Sequence, residues 1–504
     1  MTALQILLSV QMALGLFDIL YHHELTERLS WRPTAARELA LHGARNALYA
    51  VVFLSLAWVE WHGPLAWLFG LVLVAELAIT LTDFVEEDRS RLLPPSERVT
   101  HALLALTYGA ILSVLAPTLL DWSQAPLGVA LVSHGLWSWV LSAAALGVAV
   151  FAVRDWRRRS WCLGRHASAH GLSLPFLAEP KRLLVTGGTG FVGRRLVQAL
   201  VAGGHQVTVL TRDPRKATAL ARPVEIVAAM AEVPRHRRFD GIVHLAGEPV
   251  AQPWSRRARE RILESRSGVL RQVEEWCATA ETRPEVLVVA SAIGFYGEGG
   301  EAALTERSPA GVGFASAACQ AVEAGALAAA ERLSLRLVTL RFGLVLAADG
   351  GMLGRLLLPF ELGLRLTFGS GRQWLSWLHR DDAVRMLCWA LGRPEANGVY
   401  NAVAPTPVTQ AAFAKSLSAA LVRIALPIAV PSRLIRLGLG DMGRELFLAS
   451  QKVLPQRAAE QGFRFRFPFL DAALAEIVGG HVRGRARLLN EGLVLRDRRH
   501  KRAG

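Results

Sequence analysis

Hydrophobic residues are concentrated in the first third of the chain. Five apolar stretches occur there, at about 3–21, 46–61, 65–83, 102–120 and 128–153. A helix needs about 20 apolar residues to cross the hydrocarbon layer of a membrane. The pattern predicts an all-α membrane domain of about five spans over residues 1–156, in which the short second stretch is the weakest span. The first stretch lacks the basic leader and cleavage site of a signal peptide, so we expect it to be retained.

Basic residues alternate from one loop of this region to the next. The loops after the first and third stretches contain several arginines, and so does the segment after the fifth. The turns at 62–64 and 121–127 contain no lysine or arginine. Cytoplasmic loops of membrane proteins carry an excess of basic residues. The pattern therefore predicts an integral protein of a bacterial-type inner membrane, with the rest of the chain in the cytoplasm.

The pattern changes at Lys181, where short β-rich runs begin to alternate with amphipathic helical stretches. This alternation is typical of an α/β fold with a parallel sheet. We expect a Rossmann-type, doubly wound domain over residues 181–424, joined to the membrane domain by a basic linker over 157–180. A basic tail follows over 477–504.

Composition supports the membrane prediction and narrows the choice of partners. Of the 504 residues, 52 % are hydrophobic and 20 % are charged, and the formal net charge is +15. The four cysteines are widely scattered, which fits a reduced cytoplasm better than a disulfide framework or a zinc site. The basic clusters lack any nucleic-acid recognition motif, so we expect membrane lipid rather than nucleic acid as their partner.

Acidic residues and histidines gather where the apolar stretches meet the predicted cytoplasmic side. Two pairs, Asp18/His22 and Glu97/His101, are spaced i, i+4, so each pair shares one face of a helix. Carboxylates and imidazoles that converge between helices form metal sites in bundles. A metal or haem site is one interpretation, and ordinary polar helix ends are the other. Further candidates are His23, Glu24, His42, Asp83, Glu86, Glu87 and Asp88, with Glu76 deeper in the third stretch.

A glycine-rich loop lies between a predicted strand, Arg182–Thr186, and a predicted helix that starts at Arg194. We expect Gly187 to allow the tight turn, Gly190 to let the backbone approach a pyrophosphate, and Gly193 to let the helix pack on the strand. The free N–H groups at the helix N-terminus then face the phosphates. The predicted nucleotide-binding residues of the loop are Gly187, Gly190, Phe191, Val192 and Gly193.

The choice of cofactor depends on the end of the second predicted strand, Gln206–Leu210. An NAD-binding site usually places an acidic residue there, whereas this chain has Arg212 one position before Asp213. A guanidinium binds a 2′-phosphate through paired hydrogen bonds. The sequence therefore favours NADP(H) over NAD(H). A further strand ends in Ala246 and Gly247, whose small side chains let the chain pass close to the cofactor.

Several motifs together resemble a known family. They are TGGTGFVG (186–193), HLAGEP (244–249), SAIGFYG (291–297), GSGRQWLSWLHRDD (369–382) and GFRFRFP (462–468). The set is similar to the YfcH-type epimerase family of extended short-chain dehydrogenases/reductases. The resemblance covers about 181–476 and implies a Rossmann core with a small C-terminal substrate region over 425–476. It also implies a small-molecule substrate.

The resemblance implies a catalytic serine and leaves the catalytic tyrosine in question. Members of the superfamily use Ser, Tyr and Lys, and Ser291 matches the serine. The Tyr-x-x-x-Lys pair should fall at Phe314–Ala318, where neither a phenol nor an amine is present. Tyr296 is the nearest substitute as the general acid or base, and a purely structural role is the alternative.

Five residues are candidates for the substrate side. Glu248 either faces the substrate or caps the following helix. Arg372 either clamps an anionic group between tryptophan walls or is an ordinary surface residue beside core tryptophans. We expect an aspartate after His379 to cap a helix. The candidates are Glu248, Arg341, Arg372, Trp377 and His379.

Two classes of function remain open at this point. The first is an NADP(H)-dependent oxidoreductase or epimerase, anchored to the membrane, that acts on a small carbonyl or sugar-like substrate. The second is a non-catalytic NADP(H)-binding redox sensor or scaffold that signals through its membrane bundle. The missing tyrosine and lysine favour the second, whereas Ser291 and the intact glycine loop fit both, and the sequence as a whole favours the enzyme. The sequence leaves open a homodimer or a protein partner.

Overall fold

The computed structural model describes residues 2–479, except for 33–34, 91–92, 169–171, 173 and 422–423. The chain divides into two compact units, Met1–Ala169 and His170–Gly504. Most of the predicted basic tail, residues 480–504, lies outside the described residues.

The N-terminal unit is built from five long helices. They are α1 (Ala3–Phe17), α2 (Ala36–Trp58), α3 (Pro64–Ser90), α4 (Pro95–Gln124) and α5 (Leu136–Ser168). A π-helical segment, Asp18–Glu27, continues α1, and a short antiparallel pair joins β1 (Val59–His62) to β2 (Gly128–Leu131). Among the described residues, five helices are long and apolar enough to cross a membrane, as the hydrophobic pattern predicted.

Helix α2 has the lowest mean hydropathy of the five helices, 1.3 against 1.8–2.1 in the others, in agreement with its prediction as the weakest span. It has 23 residues, and half of its most apolar window is buried, against 17–22 % in the other four helices. Its first half carries Glu38, His42, Arg45 and Asn46, all buried. The apolar stretch looked short because these polar side chains point into the unit rather than towards its surroundings.

The fifth stretch is also arranged differently from the prediction. Residues Gly128–Leu131 form β2, and the helix begins only at Leu136. It then continues to Ser168, so residues 157–168 are helical and not a linker. The helix continues because it still has an apolar face, where Cys162 packs against Leu29, Ala35 and Leu39.

The C-terminal unit combines strands and helices. The strands are β3 (Arg182–Thr186), β4 (Gln206–Leu210), β5 (Glu225–Val227), β6 (Gly241–His244), β7 (Val286–Ala292), β8 (Ala303–Leu304), β9 (Arg336–Phe342), β10 (Leu344–Leu346), β11 (Leu364–Phe368), β12 (Trp374–Leu375), β13 (Trp377–His379), β14 (Gly398–Ala402), β15 (Val408–Thr409), β16 (Leu426–Val430) and β17 (Lys452–Val453). The helices are α6 (Phe191–Ala202), α7 (Arg256–Thr279), α8 (Phe314–Leu333), α9 (Gly351–Glu361), α10 (Arg380–Gly392), α11 (Gln410–Leu421), α12 (Ser432–Gly443), α13 (Gln456–Glu460) and α14 (Leu470–Val478).

Seven of these strands form one parallel sheet in the order β5-β4-β3-β6-β7-β9-β14. The chain starts at β3, builds outwards through β4 and β5, and then returns to the other side of β3 with β6. Open α/β sheets bind ligands beyond the carboxyl ends of the strands, where the strand order reverses. The predicted Rossmann-type sheet is confirmed, and its reversal point lies between β3 and β6.

Apolar layers cover both faces of this sheet. On one face, residues of α6 and α10, such as Leu196 and Leu387, join the strands in one buried cluster. On the other face, residues of α7 and α8, such as Trp276 and Val322, form a second cluster with the strands. Burial on both faces explains why the strands are continuous hydrophobic runs rather than alternating ones.

The region predicted at 425–476 is not built from that segment alone. Strand β16 pairs in parallel with β11, which comes about 60 residues earlier in the chain. Ala458 and Phe463 belong to the main sheet core. The buried Asp382 carboxylate accepts hydrogen bonds from the backbone N–H groups of Arg466 and Phe467, both at 2.8 Å. The last part of the chain is therefore anchored on the Rossmann core.

Candidate active site

The glycine-rich loop has the geometry that the sequence predicted. Gly187 has a φ of 71°, and a Cβ there would lie 2.6 Å from the backbone of Leu245. A Cβ at Gly193 would lie 2.2 Å from the carbonyl oxygen of Gly187. Gly190 is the N-cap of α6, and the one described atom that its Cβ would approach within 4 Å is Gly187 O, at 3.1 Å. The outer side of Gly190 is thus open to a phosphate group, whereas the other two positions need glycine for packing.

Phe191 and Val192 begin α6, so their N–H groups point towards the open side of the loop. The Phe191 ring itself packs away from that side, against Gly350 and below the Arg380 guanidinium at 5.1 Å from the ring centroid. The backbone of the first turn is left available for an anion.

Arg212 lies at the end of β4 with 80 % of its side chain exposed. Its Nη2 atom is 3.8 Å from Oε2 of Glu248, whose Oε1 atom is 3.9 Å from Nε of Arg261. Glu248 does not cap the following helix, because Ser255 does so by accepting a hydrogen bond from Ala258 N. Two guanidinium groups therefore flank Glu248.

Ala246 and Gly247 lie where β6 passes the end of β3. The N–H group of Ala246 donates to Thr186 Oγ1 at 3.3 Å. A Cβ at Gly247 would lie 2.8 Å from the guanidinium carbon of Arg266. The small residues thus let the chain pass close to its own side chains at the reversal point of the sheet.

Strand register brings three polar residues to one level at the carboxyl edge. Ser291 of β7 pairs with Arg341 of β9, and Arg341 pairs with Asn401 of β14. Residues paired in this way on neighbouring strands have side chains on the same face of the sheet. The neighbouring helix α8 adds Glu323, and the turn after β7 adds Tyr296.

These five side chains form one hydrogen-bonded network. Ser291 Oγ donates to Glu323 Oε1 at 2.6 Å. Arg341 donates two hydrogen bonds to the same carboxylate, from Nε at 2.9 Å and from Nη2 at 2.7 Å. A bidentate pair of this kind fixes the orientation of a carboxylate as well as its charge. Glu323 is therefore held so that one oxygen faces Ser291.

Tyr296 occupies the inner end of this network. Its hydroxyl donates to Asn401 Oδ1 at 2.7 Å and accepts a bond from Arg341 Nη1 at 2.9 Å. The residue is 3 % exposed, and burial raises the pKa of its hydroxyl above the ordinary value, although Arg341 acts in the opposite direction. This geometry favours the structural role of Tyr296 over the acid/base role.

Comparison with known proteins places this network in a family context. Residues 183–403 match the model of the NAD dependent epimerase/dehydratase family, and residues 430–477 match a domain of unknown function, DUF1731. The chloroplastic epimerase family protein SDR39U1 homolog of Arabidopsis thaliana is 37 % identical over 302 residues, which are 58 % of this chain and 86 % of that protein. The chain belongs to the epimerase family of extended short-chain dehydrogenases/reductases.

Two other proteins that are similar to this chain support the same family assignment. YfhF of Bacillus subtilis is 33 % identical over 59 % of this chain and 97 % of its own length. The crystal structure of human epimerase family protein SDR39U1 with NADPH is 34 % identical, has a TM-score of 0.53, and covers 59 % of this chain and 99 % of its own. The NADPH in that structure agrees with the cofactor predicted from the sequence.

Where the superfamily has its catalytic tyrosine and lysine, this chain has Phe314 and Ala318, whose side chains pack against neighbouring residues. Phe314 begins α8 and stacks edge-on against Trp254, with 4.9 Å between the ring centroids. The carboxylate of Glu445 accepts hydrogen bonds from the N–H groups of Phe314 and Ala315 at 3.2 and 2.9 Å. Ala318 is buried. This turn therefore holds the helix in place and offers no acid or base at the two positions.

Glu323 is the site residue that the sequence analysis missed. It lies 32 positions after Ser291, and no motif connects the two residues. The available signal was a lone acidic residue in the alanine-rich helix AACQAVEAGALAAA (317–330). An acidic side chain in such a helix usually faces water, so only the packing of α8 against β7 identifies its partner.

Three predicted substrate residues have other roles in the structure. Arg341 is 4 % exposed and points into the network rather than towards a substrate. Trp377 is fully buried and donates from Nε1 to Thr406 O at 2.9 Å, so it is a core residue and not a pocket wall. Arg372 is exposed, in agreement with the surface interpretation.

His379 is also a structural residue. Its Nδ1 atom accepts a hydrogen bond from Asp381 N at 3.1 Å, which makes the histidine itself the N-cap of α10. Its Nε2 atom lies 3.0 Å from Glu476 Oε2 on α14. The expectation that an aspartate caps this helix is wrong, because Asp381 pairs with Arg195 and Asp382 binds the chain at 466–467.

A buried histidine at the reversal point makes the stability of the folded chain depend on pH. His244 ends β6, and its Nδ1 atom lies 2.8 Å from Thr186 Oγ1. Burial, together with the nearby charge of Arg266, lowers the pKa of His244 from 6.5 to about 4. The unfolded chain therefore binds a proton between these two pH values that the folded chain does not bind.

We expect the stability of the chain to rise with pH between about 4 and 6.5 through this group, by about 3 kcal/mol in total. The His244→Asn variant should show a shallower change in thermal midpoint over this range, measured on detergent-solubilised full-length protein. His236→Asn, at an exposed position, is the matched control and should keep the wild-type slope. An unchanged slope in His244→Asn would contradict the assignment.

Proposed function

We propose that this chain is a membrane-anchored NADP(H)-dependent oxidoreductase or epimerase that acts on a small carbonyl or sugar-like substrate. The observation that carries the proposal is the pair of Ser291 and Glu323, 2.6 Å apart at the carboxyl edge of a Rossmann sheet. The edge also holds the glycine loop, so a nucleotide bound there extends from the reversal point towards β7. The assignment to the YfcH type within the family stays a prediction.

The cofactor proposal depends on the residues around Gly190 and Arg212. The open backbone at Gly190 and the first turn of α6 suit a pyrophosphate, and the exposed guanidinium of Arg212 suits a 2′-phosphate. The human relative was crystallised with NADPH, which supports the same choice. When bound, the nicotinamide supplies hydride chemistry.

Ser291 and Glu323 supply the proton step. A substrate hydroxyl placed against Ser291 Oγ gives up its proton to that oxygen while the serine proton passes to Glu323 Oε1. In the reverse direction the same two groups deliver a proton to a substrate carbonyl. Arg341 holds the Glu323 carboxylate in a fixed orientation before the transfer. This relay takes the place of the tyrosine and lysine that the chain lacks.

The N-terminal helices supply the anchor in this proposal. Helices α1 to α5 each contain an apolar window with few charged residues. Arginines in the loops after α1 and α3 favour a cytoplasmic location for those loops and for the nucleotide domain. A lipid-soluble substrate would reach such an enzyme from the membrane.

We expect Arg212→Ala to weaken NADPH binding by about 10- to 100-fold and to leave NADH binding unchanged, because a hydrogen-bonded charge pair contributes about 1.5–3 kcal/mol. Isothermal titration of the detergent-solubilised protein measures both affinities. Arg256→Ala removes another highly exposed arginine and should change neither. Equal losses for both nucleotides would show that Arg212 does not read the 2′-phosphate.

We expect Ser291→Ala and Glu323→Gln each to lower NADPH oxidation with a panel of carbonyl compounds by about 10²–10⁴-fold, as for loss of a general acid or base. Glu331→Gln, on an exposed position of the same helix, should keep wild-type activity. Wild-type protein that binds NADPH and turns over no member of the panel would favour the redox-sensor alternative. Full activity in Glu323→Gln would exclude the proton relay.

Alkaline phosphatase fusions test the orientation, because this reporter folds only outside the cytoplasm. Fusions after Gly63 and Pro126 should be active, and fusions after Pro94 and Gly479 should be inactive. Fluorescent protein fusions at the same four positions serve as the control and should give the opposite pattern. Activity of the phosphatase fusion at Gly479 would place the nucleotide domain on the wrong side of the membrane for the proposed cofactor.

A further inference from the structure

The N-terminal unit buries a dense group of ionisable side chains. Four carboxylates and one guanidinium belong to this group, together with four imidazoles, and each residue is less than 9 % exposed. Burying charge without compensation is costly, and more so among membrane helices. The residues are Asp18, His22, His23, His42, Arg45, Asp83, Glu87, Glu97 and His101.

Four members of the group converge on one point. Asp18, His23, Glu97 and His101 each offer a ligand atom, and these atoms lie within 4.8 Å of one another. Asp18 Oδ2 lies 3.4 Å from His23 Nε2 and 3.5 Å from His101 Nε2. Tetrahedral coordination with bonds of about 2.0–2.1 Å places neighbouring ligand atoms about 3.3–3.4 Å apart. The spacing is thus close to that of a coordination shell and long for a direct hydrogen bond.

Helix geometry explains how the four residues meet. Asp18 and His23 are five positions apart in a segment wound as a π-helix, so they lie on one face. Glu97 and His101 are four positions apart on α4 and share a face of an ordinary helix. Each helix therefore contributes one carboxylate and one imidazole.

A second layer of groups orients these side chains. His22 Nδ1 lies 2.9 Å from Asp18 Oδ1, and His101 Nδ1 lies 3.3 Å from Glu87 Oε2. Metal-binding histidines and carboxylates have outer partners of this kind. The remaining atoms, Asp18 Oδ2 and His101 Nε2, are buried and make no hydrogen bond within the part of the chain that the structure describes. Both atoms face the point of convergence.

We propose that Asp18, His23, Glu97 and His101 bind one divalent first-row transition-metal ion. Two imidazoles with two carboxylates favour iron, manganese, cobalt or zinc over magnesium or calcium, which prefer oxygen ligands alone. The two carboxylates also balance the charge of the ion, which lowers the cost of burying them. The predicted i, i+4 pair Glu97/His101 takes part, whereas His23 replaces His22 as the ligand from the first helix.

A neighbouring group of possible ligands, His23, His42 and Glu87, shares His23 with the proposed site. His42 Nε2 lies 3.0 Å from Asp83 Oδ2 and 3.1 Å from Glu87 Oε1, and Arg45 Nη1 lies 2.9 Å from Asp83 Oδ2. These distances are those of direct ion pairs. Since His23 offers a single Nε2 atom, it can serve one ion only. The His42 group is a salt-bridge layer beside the metal site.

The proposed site borders a cavity of about 320 Å³ inside the N-terminal unit. Asp18 and Arg45 contribute polar groups to its wall, and much of the remaining wall is apolar, with Met12, Phe53 and Leu104. Of the four proposed ligands, Asp18 is the one that lines this cavity, so the cavity adjoins the site on the Asp18 side.

Metal analysis of full-length protein purified in detergent tests the proposal. We expect about one transition-metal ion per chain by plasma mass spectrometry. Asp18→Asn and His101→Gln should lose the metal, because removing a ligand costs more than the roughly 10–100-fold in affinity lost with an outer partner. His134→Gln, an exposed histidine of the same unit, should keep the wild-type content. Asp18→Asn keeps the size of the side chain, so it separates loss of the ligand from loss of packing.

Cobalt substitution gives a second measurement that does not depend on the variants. Protein stripped with a chelator and loaded with Co²⁺ should develop the visible absorption of a nitrogen- and oxygen-ligated ion, saturating at about one ion per chain. Folded wild-type protein without bound metal and without this absorption would overturn the proposal. Wild-type metal content in both Asp18→Asn and His101→Gln would do the same.

Discussion

The parallel sheet ends all its strands at one edge, and the chemistry of the C-terminal unit depends on how closely the chain can pack there. At the reversal between β3 and β6, Gly187 comes so near to Leu245 that no side chain fits between them. This contact sets the position of the loop and of the first turn of α6. It also fixes His244 against Thr186 and thereby the start of the segment that carries Glu248. A nucleotide site is the consequence of that single tight turn.

Buried charges have to be balanced both in the Ser291 network of the C-terminal unit and in the ionisable group of the N-terminal unit. In the C-terminal unit, Glu323 and Arg341 neutralise each other, and the pair costs little because both ends of the carboxylate are bonded. In the N-terminal unit, Arg45 is the single guanidinium in a group with four carboxylates. The imidazoles supply hydrogen bonds there, and a bound cation supplies the missing charge in our proposal. Buried carboxylates are thus balanced by an arginine in the C-terminal unit and, in our proposal, by a metal cation in the N-terminal unit.

Sequence patterns identified the features that depend on neighbours along the chain. The glycine loop, the alternation of strands and helices, and the presence of five apolar helices are local signals that the sequence predicts, whereas the bounds of α2 and α5 differ from the prediction. Trp377 and His379 are substrate candidates in the sequence because they share one segment with Arg372, yet in the structure Trp377 is a core residue and His379 caps a helix. Glu323 was not predicted from the sequence, because its contact with Ser291 depends on how a helix packs on a strand. The full length of helix α2 was not predicted, because its buried polar residues resemble the end of a membrane span.

Asp382 joins the last part of the chain to the middle of the fold. Its carboxylate holds the backbone at 466–467 from the first turn of α10, while Ala458 and Phe463 are part of the sheet core. The segment that follows β16 therefore unfolds together with the sheet rather than before it. Cleavage of the chain between α12 and α13 would therefore leave the last segment held on the core by Asp382 and by these apolar contacts. The two matched sequence regions, 183–403 and 430–477, therefore share one hydrophobic core.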